Sequence, residues 1–188
     1  MRAMFPRPQS ERLPMTNLSI RPAISADLSL VASLIRGLAE YEGLSHAVRM
    51  EEERLGEYLF GDRPMAEVLI GELDGVPQGF ALFFHNFSTF EGCPGIWLED
   101  LFVLPAARRS GLGTALLAHV ARIAQERDCA RMEWSVLDWN MMAIKFYRAL
   151  GARPLTDWTT MRLDSDSLER LSDQHSGASR AGSGATVL

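Results

Sequence analysis

The sequence is short of several things, and each shortage closes off a class of function. It has two cysteines, Cys93 and Cys129, far apart and in neither a CxxC nor a Cys/His spacing. Such a pair makes no disulfide framework and no zinc site, and reads as two reduced thiols packed like small apolar residues. The four histidines, His46, His85, His119 and His175, share no ligand spacing, so no metal is expected. His119 follows the apolar stripe of Leu112 and Leu116 and reads as a histidine at the edge of the core. No apolar run approaches the ~20 residues that a bilayer span needs. The opening MRAMFPRPQSERLPM carries arginines without a continuous apolar segment behind them, so it is no secretory signal. Basic runs are also missing, and a net charge of −5 sets the chain against nucleic-acid phosphates. A cytoplasmic protein that binds neither membrane nor nucleic acid is therefore expected.

What is present is a filled core. The chain has 188 residues with 47% hydrophobic content, enough for one domain and too little for two. Residues 1–16 show no periodicity, and from Ser172 the Gly-, Ser- and Ala-rich sequence cannot bury enough surface to offset ordering entropy. The expected organisation is a disordered extension at 1–16, a folded body at 17–171 and a disordered tail at 172–188.

Within the body, Leu18–Arg21 reads as a strand, and residues 28–41 as a helix capped by Ser25 or Asp27. A weaker helix follows at 51–60. Strands at 68–73 and 79–84 flank Asp74-Gly75, a pair that tolerates positive φ and marks a hairpin. Ile96–Leu104 is a longer strand stopped by Pro105, and 111–126 a helix with one apolar face. A strand at 131–137, a helix at 140–150 ending before Gly151, and a last strand at 158–163 complete an α/β fold around a mixed sheet.

Arg108-Arg109-Ser110-Gly111-Leu112-Gly113 joins a strand to a helix. Glycines there let backbone N–H groups turn inward, and the helix N-terminus adds partial positive charge, which suits a pyrophosphate. A glycine that merely bends the chain is the other reading. The spacing matches neither the dinucleotide GxGxxG nor the GxxxxGK[ST] loop. Glu99 and Asp100 interrupt an otherwise apolar strand. Burying two carboxylates is costly, so they should face a polar cleft or a partner. Asn140, Ile144 and Tyr147 share one helix face, with Phe146 and Leu150 turned toward a core.

"IRPA", "LAEYE", "WLEDLFV", "RRSGLG" and "WNMMAIKFYRALGA" occur in this order across nearly the whole body. Together they resemble the GNAT superfamily of N-acetyltransferases, most closely its diamine (spermidine/spermine) branch. The resemblance implies a GNAT fold, a mostly antiparallel mixed sheet whose central strands splay, and acetyl-CoA as co-substrate. Leu101, Phe102 and Val103 would hold the pantetheine arm. Arg108, Arg109, Ser110, Gly111, Leu112, Gly113 and Thr114 would take the pyrophosphate, and Asn140, Met141, Met142 and Ala143 would add cofactor contacts. Tyr147 would be the acid that protonates the leaving thiolate. A thiol pKa near ~8.5 against ~10 for tyrosine suits that transfer. A backbone N–H at or near Phe102 would meet the charge on the carbonyl oxygen. Glu99 would anchor the amine and pass its proton out through water, and a bulge near Glu99 or Asp100 would aim a carboxylate at the cleft. Tyr41, Glu42, Asp100, Glu133, Trp134, Ser135 and Trp158 would line the substrate side. The stretch from Gly151 to Trp158 is shorter than in that branch, and an acidic contact expected there is missing or replaced by Asp157. That departure counts against long polyamines. The implied reaction is direct acetyl transfer in a ternary complex to a small cationic amine: a diamine, a polyamine or a lysine analogue. A protein or antibiotic amine, and a non-catalytic acyl-CoA-binding regulator, are the alternatives. A homodimer is also implied, with the last strand and helix at the partner contact.

Overall fold

The computed structural model describes residues 17–176. These divide into two units, one ending at Ser135 and the other beginning at Val136. The larger unit is a five-stranded sheet in the order β1-β2-β3-β4-β5. Its elements are β1 (Leu18–Pro22), α1 (Leu28–Glu42), α2 (Glu52–Phe60), β2 (Glu67–Leu73), β3 (Val76–Ser88), β4 (Cys93–Val103), α3 (Leu112–Glu126) and β5 (Met132–Glu133). The first four strands pair antiparallel, and β5 joins β4 in parallel.

Each feature has a local cause. Asp74 and Gly75, at φ 51° and 77°, form the two-residue turn between β2 and β3, whose twist matches that of the strands it joins. At the start of α1, Asp27 accepts from the backbone N–H of Ile24 and pairs with Arg21 at 2.6 Å. Arg21 also pairs with Glu72 at 2.7 Å, tying β1 to β2 and to the head of α1. Beside that guanidinium, the Asp27 and Glu72 carboxyls are held below the usual carboxylate range. The helix ends where Gly43 turns left-handed at φ 73° and its N–H bonds back to Glu40.

One layer of core lies between the sheet and the first two helices, where Val31, Leu34 and Leu59 meet Val68, Ile70, Phe80, Leu82 and Phe102. The face of Gly71 is covered by α3, whose Leu112 and Leu116 approach so closely that a Cβ on Gly71 would lie 2.9 Å from Leu112.

The β3–β4 ladder carries the feature that matters most for the site. Phe83 pairs with Leu98 and Leu82 with Asp100, so Glu99 is an extra residue with no partner. This is the expected bulge, and it inverts the alternation of β4. Beyond it Asp100 and Phe102 share the face of Leu82 and Phe80, toward α1 and α2, whereas Leu98 shares the opposite face with Phe83.

On its other edge β4 pairs with β5 only at Ile96↔Met132 and Trp97↔Glu133. The expected strand at 131–137 is thus cut to two residues. Past Trp97, β4 continues to Val103 against β3 alone among the described residues, and the two strands part there.

The second unit contains α4 (Met141–Ala149) and α5 (Ser165–Ser176). The strand expected at Trp158–Leu163 is not formed, because no ladder among the described residues offers its backbone a partner. Trp158 is 74% exposed and Met161 86% exposed. Leu150, expected on a core side, is also exposed. Helix α5 runs past Ser172, where the sequence suggested that order ends; residues 1–16 and 177–188 lie outside the described residues. Among the described residues no helix is long and apolar enough to cross a membrane, and no group of His, Cys, Asp or Glu could hold a metal ion. Cys93 and Cys129 are free thiols.

Candidate active site

Three carboxylates gather where the bulged part of β4 faces the end of α1. Asp100 is half-buried on the α1 face, and its carboxyl is pushed up to about 7. Burial is the main cause, and the charges of Glu99 and Glu42 add to it. Burial likewise raises the Glu42 carboxyl. Glu99 is exposed and accepts a 2.8 Å hydrogen bond from the Trp97 indole N–H. Neither Glu99 nor Asp100 forms an ion pair with a described residue. A cluster of like charges without a counter-cation is stable only if it is partly protonated or receives a cation from outside.

Tyr41 borders this cluster. Its ring is tilted against Phe102 at 6.5 Å between centroids, and the Arg108 guanidinium carbon lies 4.2 Å from its ring centre. Arg108 also donates through Nε to the carbonyl of Val103 at 3.2 Å. The sequence placed Arg108 with the phosphate ligands; its contact with Tyr41 left no trace in the motif.

After β4, Pro105–Ala107 make a short 3-10 turn, and the backbone then turns left-handed at Arg109 (φ 68°) and at Gly111 (φ 91°). Gly111 is the residue immediately before α3 and has open space where a Cβ would be. Ser110 holds the turn by donating to the Ala107 carbonyl at 2.8 Å and accepting from the Leu112 N–H. The first-turn amides of α3 have no acceptor within the helix. With the helix dipole behind them these donors favour negative charge, so the residues present suit a pyrophosphate. Arg109, exposed beside them, makes no hydrogen bond or ion pair with a described residue.

The remaining site residues have varied settings. Glu133 is committed to Arg131 at 2.9 Å and to the Asn86 amide at 3.1 Å, which braces the short β4–β5 contact. Trp134 is half-buried and Ser135 exposed just beyond β5. In the second unit, Asn140 caps α4 by accepting from the Ala143 N–H at 3.2 Å. Met141 and Met142 are exposed, and Tyr147 is half-buried with its ring 5.2 Å from that of Phe146. Trp158 stands exposed in irregular chain. His119 is half-buried and touches Arg122; burial depresses its pKa. The sequence missed Trp97 as the hydrogen-bond donor to Glu99, although its place two residues earlier was a usable signal.

Comparison with known proteins accords with this arrangement. The family model described as "Acetyltransferase (GNAT) family" matches residues 33–152. The thialysine N-epsilon-acetyltransferase of Bos taurus is 36% identical over 168 residues, covering 84% of this chain and 98% of that protein. The spermidine/spermine N(1)-acetyltransferase-like protein 1 of Homo sapiens is 28% identical over 164 residues, 82% of this chain and 24% of that much longer protein. Among solved structures, an integron cassette protein from the mobile metagenome of V. cholerae superposes with a TM-score of 0.68 at 27% identity, covering 82% of this chain and 97% of that one. A sheet whose last ladder is only two pairs long, a glycine turn leading into α3, and relatives named as N-acetyltransferases of amines lead to one conclusion: the chain belongs to the acetyltransferase (GNAT) family and is an N-acetyltransferase acting on amines.

Proposed function

We propose that the protein transfers acetyl from acetyl-CoA to a primary amine of a small substrate carrying a second positive charge, by direct attack in a ternary complex. The observation that carries this reading is the cluster of Glu42, Glu99 and Asp100 without a counter-cation. A dicationic lysine analogue, diamine or short polyamine would supply what the cluster lacks. The thialysine and spermidine/spermine relatives point to the same substrate class.

Bound acetyl-CoA would supply the activated thioester. The turn at Arg109–Thr114 would hold its pyrophosphate through backbone N–H groups, with Arg109 as an added cation, and Leu101–Val103 would align the pantetheine along the parted edge of β4. Asn140 with Met141, Met142 and Ala143 would complete the cofactor contacts. A primary amine with a pKa near ~10.4 arrives protonated at neutral pH. Glu99, exposed and held by Trp97, would take that proton to solvent, while Asp100 and Glu42 hold the second charge. Tyr147 would return a proton to the departing sulfur. Incubation with acetyl-CoA and a panel of amines is expected to release thiol fastest with dicationic substrates. Binding of acetyl-CoA without thiol release from any amine would identify a regulator instead.

A homodimer belongs to the same reading. Trp158, Met161 and Leu163 expose apolar surface in a segment that has no ladder among the described residues. A second copy could supply the missing edge. Sedimentation at micromolar concentration is expected to give twice the chain mass; a monomer would refute it.

A further inference from the structure

We infer that Arg108 is a positioning residue for the amine, not a ligand of the pyrophosphate, and that it acts by holding Tyr41 against the carboxylate cluster. The inference rests on the amine-acetylating function proposed above. An arginine opening an anion-binding turn would by default reach for the anion. Here its side chain is occupied on two sides: Nε donates to the Val103 carbonyl at 3.2 Å, and the guanidinium lies 4.2 Å from the Tyr41 ring centre. Both contacts direct the side chain toward the end of β4 and toward α1. Its neighbour Arg109 lies exposed without a described hydrogen-bond or ion-pair partner, so the cation beside the turn need not be Arg108.

The placement also serves selectivity. A guanidinium that paired with Asp100 or Glu42 would fill the position of the substrate's own charge. Arg108 forms no ion pair with a described carboxylate. Lying over the aromatic face, the guanidinium is stabilised by the ring quadrupole and leaves the carboxylates unneutralised. Tyr41, fixed between Arg108 and Phe102, becomes a rigid wall directly before Glu42 in the chain.

The test is a double-mutant cycle of Arg108→Met and Tyr41→Leu, with the amine KM and the acetyl-CoA Kd measured separately. Arg108→Met is expected to raise the amine KM about tenfold and to leave the acetyl-CoA Kd within about twofold. Tyr41→Leu should do the same, and the double variant should add little to either. An acetyl-CoA Kd raised about tenfold with an unmoved amine KM would make Arg108 a phosphate ligand and overturn the inference. If the wild-type protein acetylates no amine, the proposed function fails on that result alone. The cycle is then read from acetyl-CoA Kd and thermal unfolding. Non-additive melting with an unchanged Kd supports the contact, whereas additive melting or a weakened Kd overturns it.

Discussion

Asp100→Asn is expected to make the protein more stable at pH 8 and nearly inactive. The carboxyl titrates near 7 in the fold, chiefly because it is buried and secondarily because Glu99 and Glu42 are close. In the unfolded chain it titrates near ~3.9. Between those values the unfolded state gives up its proton first. Stability therefore falls as pH rises from about 4 to about 7, and the penalty persists above that. The whole shift corresponds to a ceiling of about 4 kcal/mol, which partial exposure reduces to roughly 1–3 kcal/mol. Asparagine removes the charge at nearly constant shape, so its melting temperature at pH 8 should exceed the wild type's by about 3–10 °C. At pH 4 the two should melt together. Asp27, Glu67 and Glu72, lowered by their arginine partners, follow the opposite rule and lose their contribution on acidification. They are common to both proteins and cancel in the comparison. Activity should move the other way: without Asp100 the second charge of the amine loses a buried partner, and kcat/KM should fall about 100-fold or more. Equal melting at both pH values, or retained kcat/KM, would show that Asp100 neither holds a strained charge nor meets the substrate.

Tyr147→Phe is expected to lower kcat about 100-fold or more while the acetyl-CoA Kd stays within about twofold, the usual yield of a positioned acid. The substitution removes one oxygen and keeps the ring, so the contact with Phe146 at 5.2 Å should persist and α4 should stay folded. The defect should shrink with an acetyl thioester whose thiol is more acidic, because such a leaving group needs less help from a proton donor. Unchanged turnover with acetyl-CoA would remove Tyr147 from the acid's role.

The sequence made some of this legible because the relevant forces are local. Asp74-Gly75 specifies its turn through backbone sterics, and Gly111 before an apolar helix specifies the left-handed turn that opens α3. The helical spacing at 28–41 is matched by α1, which buries Val31 and Leu34 on one face. What escaped depends on partners distant in sequence. Residues 158–163 have strand-like composition, but a strand exists only beside another edge. The expected strand at 131–137 shortens because its pairing with β4 stops at Trp97↔Glu133, and no residue within that segment encodes where pairing stops. Glu133 was expected on the substrate side, and its commitment to Arg131 and Asn86 required the β3–β4–β5 neighbourhood. Arg108 illustrates the limit of a motif, which fixes where the backbone goes and leaves a long side chain to choose among neighbours.

The unpaired Glu99 sets a frame of reading for the side chains of β4. If the bulge were flattened so that Glu99 paired with Leu82, Asp100 and Phe102 would turn toward the layer held by α3, taking the carboxylate out of its cluster and misfilling two cores at once. The bulge itself, more than any single side chain of this strand, therefore decides which layer receives the carboxylate.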